Sequence, residues 1–120
     1  MWRPAYAIDA EHPGTEAAAE GAAALAAGAI LFQDDPTYSA VLKAKAVSLF
    51  KLADEHRGTF TVSQPFYKSY SGYDDELAWA AVWLFKATGD HAYLKKAEDM
   101  YNTCCKDTKG EEFSWDRKCT

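Results

Sequence analysis

The sequence predicts an all-α fold built from stacked helical hairpins, and three observations carry that reading. Apolar residues recur at helical spacing in four stretches, each opened or closed by capping residues. Two of the stretches are nearly free of charge, two are amphipathic, and the two kinds alternate, so buried and surface helices take turns along the chain. The junctions repeat as well: Asp35-Pro36-Thr37-Tyr38 and Asp90-His91-Ala92-Tyr93 both read D-x-x-Y, 55 residues apart.

Residues 1–14 are punctuated by Pro4, Pro13 and Gly14 and are expected to be irregular. Thr15 is a candidate cap for a helix running to about Phe32. Alanine dominates this helix, and beyond Glu20 no charge occurs until Asp34, so it is expected to be an inner helix surrounded by protein. Gly21 and Gly28 each lower its intrinsic propensity by about 1 kcal/mol, a loss that packing has to offset. Asp35 as cap and Pro36 at the first helical position open a second helix. Tyr38, Val41, Leu42, Ala46, Leu49 and Ala53 form its apolar stripe, with lysines and acids elsewhere and Gly58 as a stop.

Residues 59–72 carry Pro65, several hydroxyls and aromatics, and read as a loop. A third, nearly charge-free helix starts at Asp74-Asp75-Glu76 and ends before Gly89, with Trp79 and Trp83 at core spacing. Asp90 caps a fourth, amphipathic helix that bears Tyr93, Leu94, Ala97, Met100 and Tyr101 on one stripe. From Lys106 the chain is polar and turn-like until Phe113 and Trp115. Arrays of helical hairpins need about three units for stability, so two hairpins are expected to be part of a larger toroid or solenoid rather than a self-contained bundle.

Composition narrows the function. The 120 residues are 48% hydrophobic and 26% charged, enough for a core. Thirteen basic against 18 acidic residues, a net charge of −5, argue against a nucleic-acid or anionic-membrane binder. No apolar run reaches the roughly 18 residues of a membrane span. Met1-Trp2-Arg3-Pro4 shows no secretory signal. Cys104, Cys105 and Cys119 form neither a disulfide framework nor a zinc pattern, although one disulfide among them is open. Asp9 and Glu11 could pose as a carboxylate pair, but nothing positions them, and ordinary loop charges are the expectation. His12, His56 and His91 lie near turns or helix ends.

The densest chemical signal is Phe66-Tyr67-Lys68-Ser69-Tyr70-Ser71-Gly72-Tyr73-Asp74-Asp75-Glu76. Capping and the helix dipole partly account for three acids at a helix start. Consecutive carboxylates also repel unless a cation joins them, and with Ser71 and Gly72 beside them the hard oxygen donors suit calcium better than zinc. Both readings stay open on spacing alone. The loop aromatics Phe66, Tyr67, Tyr70 and Tyr73 could cover a core or stack against flat, partly polar ligands such as sugar rings.

Over Ser71–Glu98, SGYDDELAWAAVWLFKATGDHAYLKKAE, the chain resembles glycoside hydrolase family 9, the endo-β-1,4-glucanases. The resemblance extends through Arg3-Pro4-Ala5-Tyr6, Ile8-Asp9, Pro13-Gly14, Ile30-Leu31-Phe32, His56-Arg57-Gly58, Trp115-Asp116 and Lys118. It implies part of an (α/α)6 barrel, with residues 1–120 as the central portion of a catalytic domain. It implies hydrolysis of β-1,4-glucan with inversion, in which an aspartate activates water and a glutamate protonates the leaving oxygen. Neither of those carboxylate motifs occurs in this chain, so the resemblance assigns no catalytic residue here and implies that the fragment alone is inactive.

The resemblance also implies a structural calcium held by Ser71, Gly72, Asp75, Glu76 and Asp116, and glucan contact by Phe66, Tyr67 and Tyr70. Tyr70 stands where tryptophan is common in the family, so its stacking would be weaker. The loop from Gly58 to Phe66 is shorter than usual, and residues 104–113 depart from the family pattern. A secreted parent enzyme is implied as well. Two competing readings are a non-catalytic calcium- and glucan-binding helical module and an unrelated α/α toroid.

Overall fold

The structure is a computed structural model that describes residues 1–62, 66, 68–70 and 72–104. Among the described residues all regular structure is helical: α1 (Thr15–Leu31), α2 (Pro36–Glu55), α3 (Asp74–Thr88) and α4 (His91–Cys104). The predicted boundaries hold where capping is local. Asp35 accepts from the Tyr38 N–H at 3.0 Å with Pro36 just inside the helix. Gly89 closes α3 in the left-handed conformation, φ 74°, and Asp90 accepts from the Ala92 N–H at 2.9 Å to open α4. The tail from residue 105 onward, including Cys105, Phe113, Trp115 and Cys119, lies outside the described residues.

The first hairpin is α1 against α2, the second α3 against α4, and the two hairpins meet mainly through α1 and α3. On α1 the buried positions Thr15, Ala18, Ala19, Ala22, Ala23, Ala26 and Ala29 form one helical stripe. Small side chains allow close approach: a Cβ added at Gly21 would lie 3.0 Å from Leu49 Cδ2 of α2. That contact is how packing offsets the poor propensity of Gly21. From α3, Leu77, Ala80, Ala81 and Leu84 enter the same core, and α2 adds Ala46, Phe50 and Ala53. Burying a leucine as fully as Leu77 and Leu84 contributes about 1.5–3 kcal/mol.

Two expectations change. Thr15 is not a cap: Gly14 takes that position, no side chain caps α1, and Thr15 is fully buried. Its hydroxyl instead accepts from the Gly58 N–H at 2.9 Å and donates to the Ala53 carbonyl at 3.3 Å, while its own N–H donates to the Gly58 carbonyl at 2.9 Å. The start of α1 is thereby tied to the end of α2. Nor is α1 enclosed on every side, since Ala17, Glu20, Ala24 and Leu31 are exposed. Trp79 of α3, placed in the core by its spacing, is 57% exposed for the same reason: four helices cannot wrap two apolar ones completely.

The outer helices α2 and α4 are joined at one point. The rings of Phe50 and Tyr93 meet edge to face with centroids 5.7 Å apart. Beside them Asp54 accepts from both Lys96 and Arg57. Partial burial opposes ionisation of Asp54, yet the hydrogen bonds from Lys96 and Arg57 prevail and hold its carboxyl below the usual range.

Thr15→Val keeps the shape but leaves the half-buried Gly58 N–H without its acceptor, and is expected to cost about 1–2 kcal/mol in denaturant unfolding. Thr15→Ser, which keeps the hydroxyl, is expected to cost less than half of that; equal losses would assign the effect to packing. Asp54→Asn is expected to cost about 1 kcal/mol, measured in the same way, by weakening the link to Lys96 and Arg57.

Candidate functional site

The chemically promising residues gather at the N-terminal end of α3. Asp74, Asp75 and Glu76 occupy its first turn, where exposed backbone N–H groups and the helix dipole favour negative charge. Tyr73 holds the cap position without a side-chain cap. Gly72 enters with φ 85°, a left-handed conformation that disfavours any other residue, and its carbonyl accepts from the Ser69 hydroxyl.

Successive helical residues point about 100° apart, and the three acids therefore divide. Asp74 borders a depression of about 520 Å³ on the outer side, together with Arg57, Lys95, Lys96 and Asp99. Asp75 and Glu76 face the other way, into an open groove of about 640 Å³ between α1 and α3. Its opposite wall is α1, through Glu20, Ala23, Ala24 and Ala27, and its floor runs along Trp79 and Trp83. The two indoles pack edge to face at 5.9 Å, and the Lys86 ammonium sits 4.5 Å from the Trp83 ring centre.

Glu76 is the anomalous group in this groove. Its Oε2 is buried and has no hydrogen-bond partner, a condition shared among the described residues only by Glu16 Oε2. Glu16 has its other oxygen engaged, accepting from the Phe60 N–H at 2.6 Å. Burial, then the hydrogen bond and charge of Asp75, with a smaller contribution from the charge of Glu20, push the Glu76 carboxyl from its usual 4.5 up to about 7. Two neighbouring carboxyls held this close need either a shared proton or a cation.

Of the residues that the resemblance assigned to calcium, the structure brings Asp75 and Glu76 to one groove and sets Gly72 at the turn before them. Ser71 and Asp116 lie outside the described residues. Among the described residues no three His, Cys, Asp or Glu side chains converge to hold a metal ion, so an ion here would also need other oxygen donors. Of the aromatics assigned to glucan, Phe66 and Tyr70 are 90% and 86% exposed, Lys68 lies 5.6 Å from the Tyr70 ring centre, and Tyr67 lies outside the described residues. Neither Phe66 nor Tyr70 lines the α1–α3 groove. The exposed aromatics and the acidic groove are thus separate features.

Asp9 serves its own turn, accepting from the backbone N–H groups of Glu11 and His12 at 2.9 and 2.8 Å, as expected of an ordinary loop charge. The sequence reading missed Glu20 as part of the groove. Its one signal was that it is the last charge on an otherwise alanine helix. Among the described residues, no helix is long and apolar enough to cross a membrane.

The family description Glycosyl hydrolase family 9 matches residues 1–120. The chain is 51% identical over 117 residues to an endoglucanase of Phaseolus vulgaris, covering 97% of this chain and 23% of that protein. It is 50% identical over 107 residues to endoglucanase B of Cellulomonas fimi, covering 85% of this chain and 10% of that one. In three dimensions it superposes on the endoglucanase of the termite Nasutitermes takasagoensis with a TM-score of 0.80 and 45% identity, over 86% of this chain and 25% of the termite chain. It also resembles endoglucanase CelQ of Clostridium thermocellum, solved with cellotriose, with a TM-score of 0.70 and 38% identity, over 85% of this chain and 16% of that one. The chain therefore spans a quarter or less of the length of these relatives, and its two hairpins correspond to part of an (α/α)6 barrel. Matched along all 120 residues by the family and superposed on its solved endoglucanases, the chain belongs to glycosyl hydrolase family 9.

Proposed function

We propose that this chain is the central portion of a secreted endo-β-1,4-glucanase, which hydrolyses internal bonds of cellulose with inversion. In that reading the chain supplies a calcium-held turn and part of the glucan-contacting surface. No step of bond cleavage is assigned to its residues; Asp9, the acid nearest the start of the family resemblance, is occupied by its own turn. The observation that carries the reading is the coincidence, across one short turn, of exposed aromatics at Phe66 and Tyr70 with the carboxyl pair Asp75 and Glu76. An exposed tyrosine offers a flat apolar face with a polar rim, the chemistry that a pyranose ring matches.

The orphaned Glu76 Oε2 and the raised Glu76 carboxyl suit a hard cation. Asp75, Glu76 and the Gly72 carbonyl would hold it, with Ser71 and Asp116 completing the oxygen set. Calcium would supply a fixed positive charge that joins the two carboxylates and fastens the turn to α3. The turn carries Tyr70, so fixing it would orient that ring for glucan.

Titration of the chain with calcium in a calorimeter, followed by cellotetraose, tests this reading. Calcium is expected to bind and to tighten subsequent cellotetraose binding, with Tyr70→Ala weakening the sugar step about three- to tenfold and leaving calcium unchanged. Absence of calcium heat would overturn the metal site. A soluble cellulose derivative is expected to remain intact with the 120-residue chain, and turnover would overturn the placement of the catalytic groups elsewhere.

A pH series separates the metal reading further. Between pH 4.5 and about 7 the folded, calcium-free chain keeps a proton on Glu76 that the unfolded chain has released, so this group's contribution to stability falls as pH rises through that window. In chelator the melting temperature of wild type is expected to fall relative to that of Glu76→Gln across this range. Saturating calcium is expected to remove the difference in slope.

A further inference from the structure

The α1 wall of the groove carries one charge, Glu20. Glu20 is exposed, lines the groove together with Asp75 and Glu76, and is followed on α1 by no other charge. No basic side chain lines the groove, although Lys86 packs against the ring of Trp83; the remaining walls are alanine and tryptophan. The three carboxylates do not converge closely enough to ligate one ion together. Apolar walls keep water and counter-ions from screening such charges fully, so their fields add inside the groove.

We propose that Glu20 is an outer electrostatic positioning residue for the cation at Asp75 and Glu76, raising its affinity for a divalent ion without touching it. The inference rests on the calcium reading above and extends it to a residue on another helix. A divalent ion gains twice what a monovalent ion gains from the same potential, so Glu20 favours calcium over sodium as well as strengthening binding. It also couples the two hairpins, because the ion at the start of α3 responds to a charge carried by α1.

The test is calcium calorimetry on the full chain in about 0.05 M and about 0.5 M sodium chloride. Glu20→Gln is expected to weaken calcium about three- to tenfold at low salt, with the gap to wild type shrinking to within about twofold at high salt. Glu20→Asp, which keeps the charge, is expected to stay within about twofold of wild type at both. A merely structural role for Glu20 would give a loss that salt does not change, and that result overturns the proposal. If Asp75→Asn abolishes calcium binding while Glu20→Gln matches wild type, the metal site stands and the role of Glu20 falls. If wild type itself binds no calcium, both fall together. Helicity by circular dichroism, expected to be equal in all variants, identifies any that misfold; should Glu20→Gln be one of them, Glu20→Lys is read in its place, expected to weaken calcium about tenfold or more at low salt and less at high salt, and an affinity matching wild type there would overturn the proposal.

Discussion

The close seating of α1 is the constraint on which the rest of the structure depends. One stripe of alanines lets α2 and α3 approach on adjoining sides. Two polar pins then fix the first hairpin at both ends. At one end the Thr15 hydroxyl bridges to Ala53 and Gly58. At the other the Ser39 hydroxyl donates to the Ala29 carbonyl at 2.7 Å. A helix of small residues has little area to contribute per side chain, so its position has to come from short contacts and satisfied polar groups rather than from bulk burial. Leu77, Leu84 and Phe50 supply the bulk from its neighbours.

The candidate site is a consequence of that packing. Helix geometry turns Asp74 toward the outer cations and turns Asp75 and Glu76 toward α1. The dipole at the start of α3 favours all three charges, but the wall of α1 removes water from Glu76, and there desolvation wins. The outer network around Asp54 shows the opposite balance. Hydrogen bonds from Lys96 and Arg57 outweigh burial, and the carboxyl stays ionised. Two half-buried acids in one small structure thus differ because one has cations beside it and the other has another acid.

Membership of glycosyl hydrolase family 9 gives these features a common setting. The apolar faces left open on α1 and α3, including Leu31, Trp79 and Val82, belong to a chain that spans a quarter or less of its relatives. Glucan contact and metal binding, read together, would place a fixed turn between a stacking surface and an acidic groove. In that proposed arrangement a metal would act on sugar only through the turn's position, since Phe66 and Tyr70 stand outside the groove.

The sequence by itself determined the helix ends that are capped locally. Asp35 with Pro36, Gly89 and Asp90 act on their own first or last turn, and such chemistry is legible from neighbours three or four residues away. The alternation of buried and surface helices was equally legible, because amphipathicity is a property of one helix. The family was carried by ordered motifs along the chain. Tertiary structure alone decided what Thr15 binds, how far Trp79 emerges, and that Glu20 shares a groove with Glu76. Those outcomes join residues about forty or more positions apart, and they depend on the rotation and depth at which two helices seat. A single helix's spacing fixes which residues share a face. Only its partner decides whether that face meets a core, a cation or open water.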